Sequence, residues 1–240
     1  MSDTMHNVIE VDQLTKKFGE VTAVDNISLH VNGNELFGLL GPNGSGKTTM
    51  VKLLTGQIKP TMGIVTVLGI DVGENPVTVR EKVGIIPEQE NPPSFLTAEE
   101  YLHFVGKIRM LNENVIARKS DEWFNFLEFD GEREVLCKDL SRGTRQKLMF
   151  AQAFIHEPEL AFVDEPLVNL DPIMQNKVKS YFKKFVQNGG TVFLCTHALD
   201  IAQELCTRIG ILKKGSIVYE GAFEKKEKLE EFFLRVVKEE

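Results

Sequence analysis

The sequence predicts an α/β fold in which a small antiparallel β-sheet leads into a larger sheet and a helical block is inserted between two strands of that sheet. Three observations carry this. Short apolar runs with the look of buried strands alternate with stretches at helical spacing, the pattern of a sheet covered by helices. A glycine-rich octad, Gly41-Pro42-Asn43-Gly44-Ser45-Gly46-Lys47-Thr48, joins one such run to a helical stretch. A second apolar run ends in Asp164-Glu165, much further along the chain than one strand–helix–strand crossover requires, so a helical insertion is the economical account.

In chain order, Val8-Ile9-Glu10-Val11 and Val21-Thr22-Ala23-Val24 read as strands, with residues 16–20 as a loop between them. Asn26-Ile27-Ser28-Leu29-His30-Val31 alternates polar and apolar, which marks a half-buried strand. Asn32-Gly33-Asn34 is a turn, and Leu36-Phe37-Gly38-Leu39-Leu40 a buried strand. Beyond the helix that follows the octad, Gly56 is a C-terminal stop and residues 63–68 form a strand. Pro76 opens a short helix to Lys82, and Val83-Gly84-Ile85-Ile86 is a buried strand ending at Pro87-Glu88-Gln89. Thr97 with Glu100 is a capping box that starts a helix reaching about Arg109. Residues 113–126 and about 142–155 are two further helices, and Leu160-Ala161-Phe162-Val163 is a strand. A helix over 173–186 is broken at Asn188-Gly189-Gly190. Then come a strand over 191–196, a helix near 198–204, two short strands over 208–212 and 216–219, and a charged amphipathic helix over 224–238.

The octad fits GxxxxGK[ST], the phosphate-binding P-loop, in the strand–loop–helix context that the motif needs. Its glycines let successive N–H groups curl around an anion, and the helix N-terminus adds a favourable dipole. Asn43, Gly44, Ser45, Gly46, Lys47, Thr48 and Thr49 are therefore candidate nucleotide-binding residues. Lys47 reaches toward the β and γ phosphates, and the Thr48 hydroxyl is a ligand for Mg²⁺. An Asp-Glu pair after an apolar run is by itself an ordinary solvated strand end. With a P-loop earlier in the chain, Asp164 reads as the Mg²⁺-supporting aspartate and Glu165 as the group that polarises the attacking water. The strand that follows ends at Thr196-His197, which makes His197 a candidate for positioning Glu165 and water. Phe18 is either a core residue or a stacking surface for a base, and the pattern leaves both open.

At 240 residues the chain is long enough for one large domain with a substantial core. A formal charge of -7, with both signs mixed along the sequence, argues against a nucleic-acid partner held by bulk electrostatics. Three scattered cysteines make neither a CxxC pair nor a disulfide framework, which fits a reducing cytoplasm. The N-terminal residues lack an apolar signal-peptide region, and no run of 18 apolar residues occurs.

Taken in order and spacing, these motifs resemble the nucleotide-binding subunit of the ATP-binding-cassette transporters, of the ABC-2 or drug-exporter-like group. The resemblance covers essentially the whole chain. Residues 41–48 match Walker A, Asp164 and Glu165 match Walker B and its catalytic glutamate, and Leu170-Asp171 matches the D-loop. Phe18 falls at the adenine-stacking A-loop position, Gln89 at the Q-loop, and His197 at the switch histidine. Leu140-Ser141-Arg142-Gly143-Thr144 sits at the LSGGQ signature, with Arg142 at its first glycine and Thr144 at its glutamine. Asn169 replaces a glycine common before the D-loop. Basic residues at the first signature glycine are tolerated in exporter-like members, so the resemblance implies an active ATPase.

It further implies one cassette with a P-loop NTPase core built on a RecA-like sheet. Residues 1–88 and 157–240 would form the catalytic core with its antiparallel β-subdomain, and 89–156 a mainly helical subdomain. ATP and Mg²⁺ are the implied cofactors. Thr48, Gln89 and Asp164 are then metal residues, and Lys47, Gln89, Glu165 and His197 serve the reaction. Ser141 and Gly143 would contact the nucleotide of a second nucleotide-binding subunit, in a homodimer or heterodimer. A transmembrane permease is the other implied partner, with the chain peripheral on the cytoplasmic face of the membrane and export favoured over import. An importer subunit or a non-transport cassette is the alternative.

Overall fold

A computed structural model describes residues 6–89, 92–223 and 227–238. The predicted architecture is present. Strands β1 (Asn7–Phe18), β2 (Val21–Asn32), β4 (Met62–Val67) and β5 (Ile70–Asp71) form an antiparallel sheet in the order β2-β1-β4-β5. Strands β3 (Leu36–Leu40), β6 (Val83–Ile86), β7 (Leu160–Asp164), β8 (Thr191–Thr196), β9 (Arg208–Lys213) and β10 (Ser216–Ala222) form the second sheet, in the order β10-β9-β3-β8-β7-β6. Only β10 runs antiparallel there.

The second sheet is covered on both faces, so its strands read as continuous apolar runs. Alternate residues feed two separate cores, as the two-residue strand period dictates. Leu36 and Leu40 of β3, with Ala161 and Val163 of β7, join a core shared with helices α3 (Ala98–Ile108), α4 (Glu113–Phe126), α5 (Arg142–Phe154), α6 (Pro172–Gln187) and α7 (Leu199–Leu205). Phe37 and Leu39, with Leu160 and Phe162, join the opposite core with helix α1 (Lys47–Leu54), helix α2 (Pro76–Lys82) and the antiparallel sheet. Between them Gly38 has no room for a side chain, since a Cβ there would lie 2.6 Å from Cys206 Sγ.

The insertion between β6 and β7 holds α3, α4 and α5. The Thr97–Glu100 capping box is formed reciprocally at the start of α3. Trp123 of α4, Phe150 and Phe154 of α5 and Tyr181 of α6 pack ring on ring, with centroids 4.9–6.1 Å apart. Helix α5 is also tied to the sheet, where Gln152 Nε2 donates to the Ile85 carbonyl at 2.7 Å.

Two expectations change near the N-terminus. Lys16, Lys17 and Phe18 belong to β1, whose hairpin turns only at Gly19-Glu20. Gly19 supplies the positive φ (+58°) that such a tight turn needs. The two strands expected over 21–31 are one, because Asn26 takes φ +48° in a bulge and its N–H donates to Thr15 Oγ1 at 3.0 Å. At the other end, helix α8 spans Leu229–Lys238. Of the expected start, residues 224–226 lie outside the described residues.

Candidate nucleotide site

β3 delivers the glycine-rich loop to the edge of the sheet where the parallel strands end, and α1 begins immediately after it. The loop is held from three sides. A Cβ on Gly46 (φ +113°) would lie 2.4 Å from the Ala23 carbonyl of β2, and one on Gly41 2.4 Å from the Leu212 carbonyl of β9. Gly215, in the β9–β10 turn, donates its N–H to the Ser45 carbonyl at 2.9 Å. Lys47 is largely buried, and its ammonium donates to the carbonyls of Gly41 (2.7 Å) and Pro42 (3.3 Å). The first N–H groups of α1 have no acceptor within their own helix and sit at its positive end, a donor set that suits polyphosphate.

Asp164, at the end of β7, is buried. Its carboxylate accepts a hydrogen bond from the Thr48 hydroxyl at 2.9 Å. Burial, reinforced by the charges of Glu88 and Glu165, pushes the Asp164 carboxyl up to about 6, against the Thr48 hydrogen bond and Lys47. Glu88 Oε2 also lies 3.2 Å from the Thr48 hydroxyl. Thr48, Asp164 and Glu88 are thus three converging hard-oxygen donors, which fit Mg²⁺ with water completing its shell.

Glu165 follows β7 at φ +50°, with its N–H bonded to the Cys195 carbonyl of the neighbouring β8. Because β7 and β8 pair in parallel with Asp164 opposite Cys195, their ends bring Glu165 and His197 together. The glutamate accepts from Thr196 Oγ1 (2.9 Å) and from the His197 N–H (2.8 Å), and His197 Nδ1 stands 2.5 Å from Oε1. A carboxylate fixed by three contacts at the rim of a phosphate site can hold and deprotonate a water.

Ala23, Asn43, Gly44, Gly46, Lys47, Thr48, Thr49, Glu88, Asp164 and Glu165 line one pocket. The Ser45 hydroxyl is instead buried beneath the loop, with no hydrogen-bond partner among the described residues. Phe18 is half exposed at the end of β1, with Lys16 Nζ 5.0 Å from its ring centroid, so it is not a core residue. Gln89 is exposed and is not part of the pocket wall. Ser141 and Gly143 lie away from this pocket, at the start of α5. Ser141 caps that helix by accepting from the Thr144 N–H (3.1 Å) and pairs with the Thr144 hydroxyl (2.8 Å). A Cβ on Gly143 would lie 2.8 Å from the Asn169 carbonyl, so the signature segment abuts the segment before Asp171.

Sequence reasoning missed Glu88, Thr196 and Ala23. The first two had a faint signal, since each directly precedes a residue that was singled out. Ala23 contributes through its backbone alone and has none.

The family model described as ABC transporter matches residues 24–168. The bacitracin transport ATP-binding protein BcrA of Enterococcus faecalis is 37% identical over 90% of this chain and 70% of its own length. A Nod factor export ATP-binding protein I of Rhizobium meliloti is 32% identical over 89% of this chain, which spans 64% of that relative. Among solved structures, an ATP-binding subunit of an ABC transporter superposes with a TM-score of 0.91 at 26% identity, covering 96% of this chain and 100% of that one. A dimeric ATP-binding cassette in a post-hydrolysis state bound to ADP and Pi superposes at 0.83 with 26% identity, over 90% and 99% of the two chains. The P-loop, the strand-end carboxylates and the inserted helices of this chain therefore have their counterpart in a known family, and the chain belongs to the ABC transporter family as an ATPase cassette of that fold.

Proposed function

We propose that this cassette binds ATP with Mg²⁺, hydrolyses it in a dimer, and powers a transmembrane permease that exports its cargo. The observation that carries the catalytic part is the fixed Glu165 carboxylate, held by Thr196 and His197 beside the P-loop. Lys47 and the loop N–H groups hold the β and γ phosphates. Thr48 and Asp164 hold Mg²⁺, which when bound neutralises charge on the transferring phosphoryl group. Glu165 takes a proton from the attacking water, and His197 keeps that carboxylate aimed. Phe18, exposed at the end of β1, offers its ring to the base.

Ser141 and Gly143 complete the site of the opposite subunit. The dimeric cassette among the structural relatives supports a paired arrangement, and their distance from this chain's own pocket is consistent with it. The name of one relative, Nod factor export, supports export. We assign residues 89–156 as the mainly helical subdomain that relays hydrolysis to the permease, and residues 1–88 and 157–240 as the catalytic core. Among the described residues no helix is long and apolar enough to cross a membrane.

Phosphate release by wild type and by Glu165→Gln tests the reaction. Turnover should fall at least about 100-fold in the variant while ATP binding persists. Equal turnover in the two proteins would remove Glu165 from the reaction. Co-purification of the permease, followed by transport assays in vesicles, tests direction. With ATP supplied outside, on the cassette side, export accumulates cargo in the vesicle lumen, and ATP-driven loss of cargo from the lumen would overturn the export reading.

A further inference from the structure

We propose that the groove along the second half of α6 is a binding site for a small planar aromatic anion, whose ring lies on Phe126, Tyr181 and Phe185 and whose charge is held by Lys184 and the Tyr181 hydroxyl. The groove has a volume of about 730 Å³, within the range of pockets that hold drug-sized ligands. It is bounded by the end of α4, by Glu157-Pro158-Glu159 ahead of β7, and by the Asn188-Gly189-Gly190 turn ahead of β8. These boundaries lie where β7 and β8 begin, whereas the nucleotide site lies where they end. The length of β7 puts about 13 Å between the two edges. The groove shares no residue with the nucleotide pocket.

The helical period sets the floor. Lys177, Ser180, Tyr181, Lys184, Phe185 and Asn188 recur at spacings of three and four, so they share one face of α6 and its C-terminal end. Tyr181 and Phe185 lie nearly parallel, at 15° with centroids 6.2 Å apart, and Phe126 tilts against Tyr181 at 5.7 Å. All three rings are only partly buried and line the groove, so they offer a π surface on which a planar ring stacks. The polar groups choose the charge. Glu157 is paired with Lys119 at 2.5 Å and Lys177 with Glu128 at 2.7 Å, so these two lining residues are already matched. Among the described residues the Lys184 ammonium has no ion pair and the Tyr181 hydroxyl no hydrogen-bond partner. Burial, reinforced by the Glu157 charge, pushes the Tyr181 phenol up, so it keeps its proton and is a donor. An ammonium and an O–H donor beside an aromatic floor are satisfied together by an aromatic anion. Glu159, also lining the groove and without an ion pair among the described residues, opposes that anion, which gives its removal a predicted sign.

The groove has its own reporter. Trp123 is the only tryptophan of the chain, and its ring lies 5.6 Å from Phe126 and 5.2 Å from Tyr181. The full chain is titrated by calorimetry with naphthoate, with the neutral naphthamide and with the cationic naphthylmethylammonium, while the single indole N–H resonance is followed by NMR. Wild type should bind naphthoate at a single site, at least about 10-fold more tightly than the amide or the ammonium, and the indole resonance should shift as the site fills. Lys184→Ala should remove that preference, Tyr181→Phe should weaken naphthoate about 5-fold, and Glu159→Gln should strengthen it. Ser180→Trp, at an exposed position on the groove face, should abolish binding with the melting temperature unchanged. Absence of binding by all three probes, a preference for the ammonium, or an anion preference that survives Lys184→Ala overturns the proposal. A second copy of the chain as occupant would show as a nucleotide-independent dimer that Ser180→Trp dissolves, and that outcome overturns it too.

Discussion

Both ring nitrogens of His156, just beyond α5, are buried. Burial first, then the nearby positive charges of Arg109 and Lys119, push its pKa down from 6.5 to about 4. The folded state thus favours the neutral ring, and the unfolded chain binds its proton sooner. The stability tied to that ring is fully present above pH 6.5 and is lost as pH falls toward 4. The unfolding free energy of wild type from urea titrations should drop between pH 7.5 and 5, by about 2 kcal/mol from this group. His156→Gln should show a flatter pH profile in the same titration. At Gly143 the constraint is steric. Gly143→Ala places a methyl 2.8 Å from the Asn169 carbonyl, so the start of α5 must shift. A loss of about 1–3 kcal/mol by thermal melting is expected, with nucleotide affinity at the P-loop pocket unchanged. Much of the pocket's lining was legible residue by residue. Lys47, Thr48, Asp164 and Glu165 sit in fixed spacings that reflect how a strand end meets a phosphate. That Glu88 rather than Gln89 lines the pocket was not legible, because it depends on how the chain leaves β6 rather than on which residues are present.

Individual elements were most readable where local signals and tertiary packing agree. The bounds read for α2, β6 and α4 match the structure residue for residue, each set by a proline start or an apolar period. The hairpin of β1 and β2 was misread because Lys16 and Lys17 look like loop residues. They remain in the strand because it is edge-exposed there and paired to Val24 and Thr22. The capping box of α3 predicts its own test. Thr97→Ala leaves the Glu100 N–H without its acceptor and should cost about 1 kcal/mol by chemical denaturation. The ring cluster that joins α4, α5 and α6 is a larger dependency. Phe150 is fully buried and meets Trp123, Phe154, Tyr181 and Phe182. Phe150→Ala should cost about 3–5 kcal/mol in the same measurement and loosen all three helices.

For the molecule as a whole, the reading of two half-sites predicts a change in mass. With ATP, the Glu165→Gln protein should elute as a dimer in gel filtration, because binding is retained and hydrolysis no longer resets it. Adding Ser141→Arg, at the exposed cap of α5, should return it to monomer with P-loop binding intact. The brace under the P-loop carries a consequence for synthesis. Gly215 and Leu212 reach Ser45 and Gly41 from far down the chain, at the end of β9 and its turn into β10. On a ribosome the loop emerges long before those contacts exist, and β3 waits for both of its sheet neighbours, β8 and β9. A nascent chain halted before β9 should therefore carry the motif yet fail to retain nucleotide. Affinity for ATP should then appear only once β9 and its turn into β10 have been made, so a cassette lacking them is barred from a place meant for a working one.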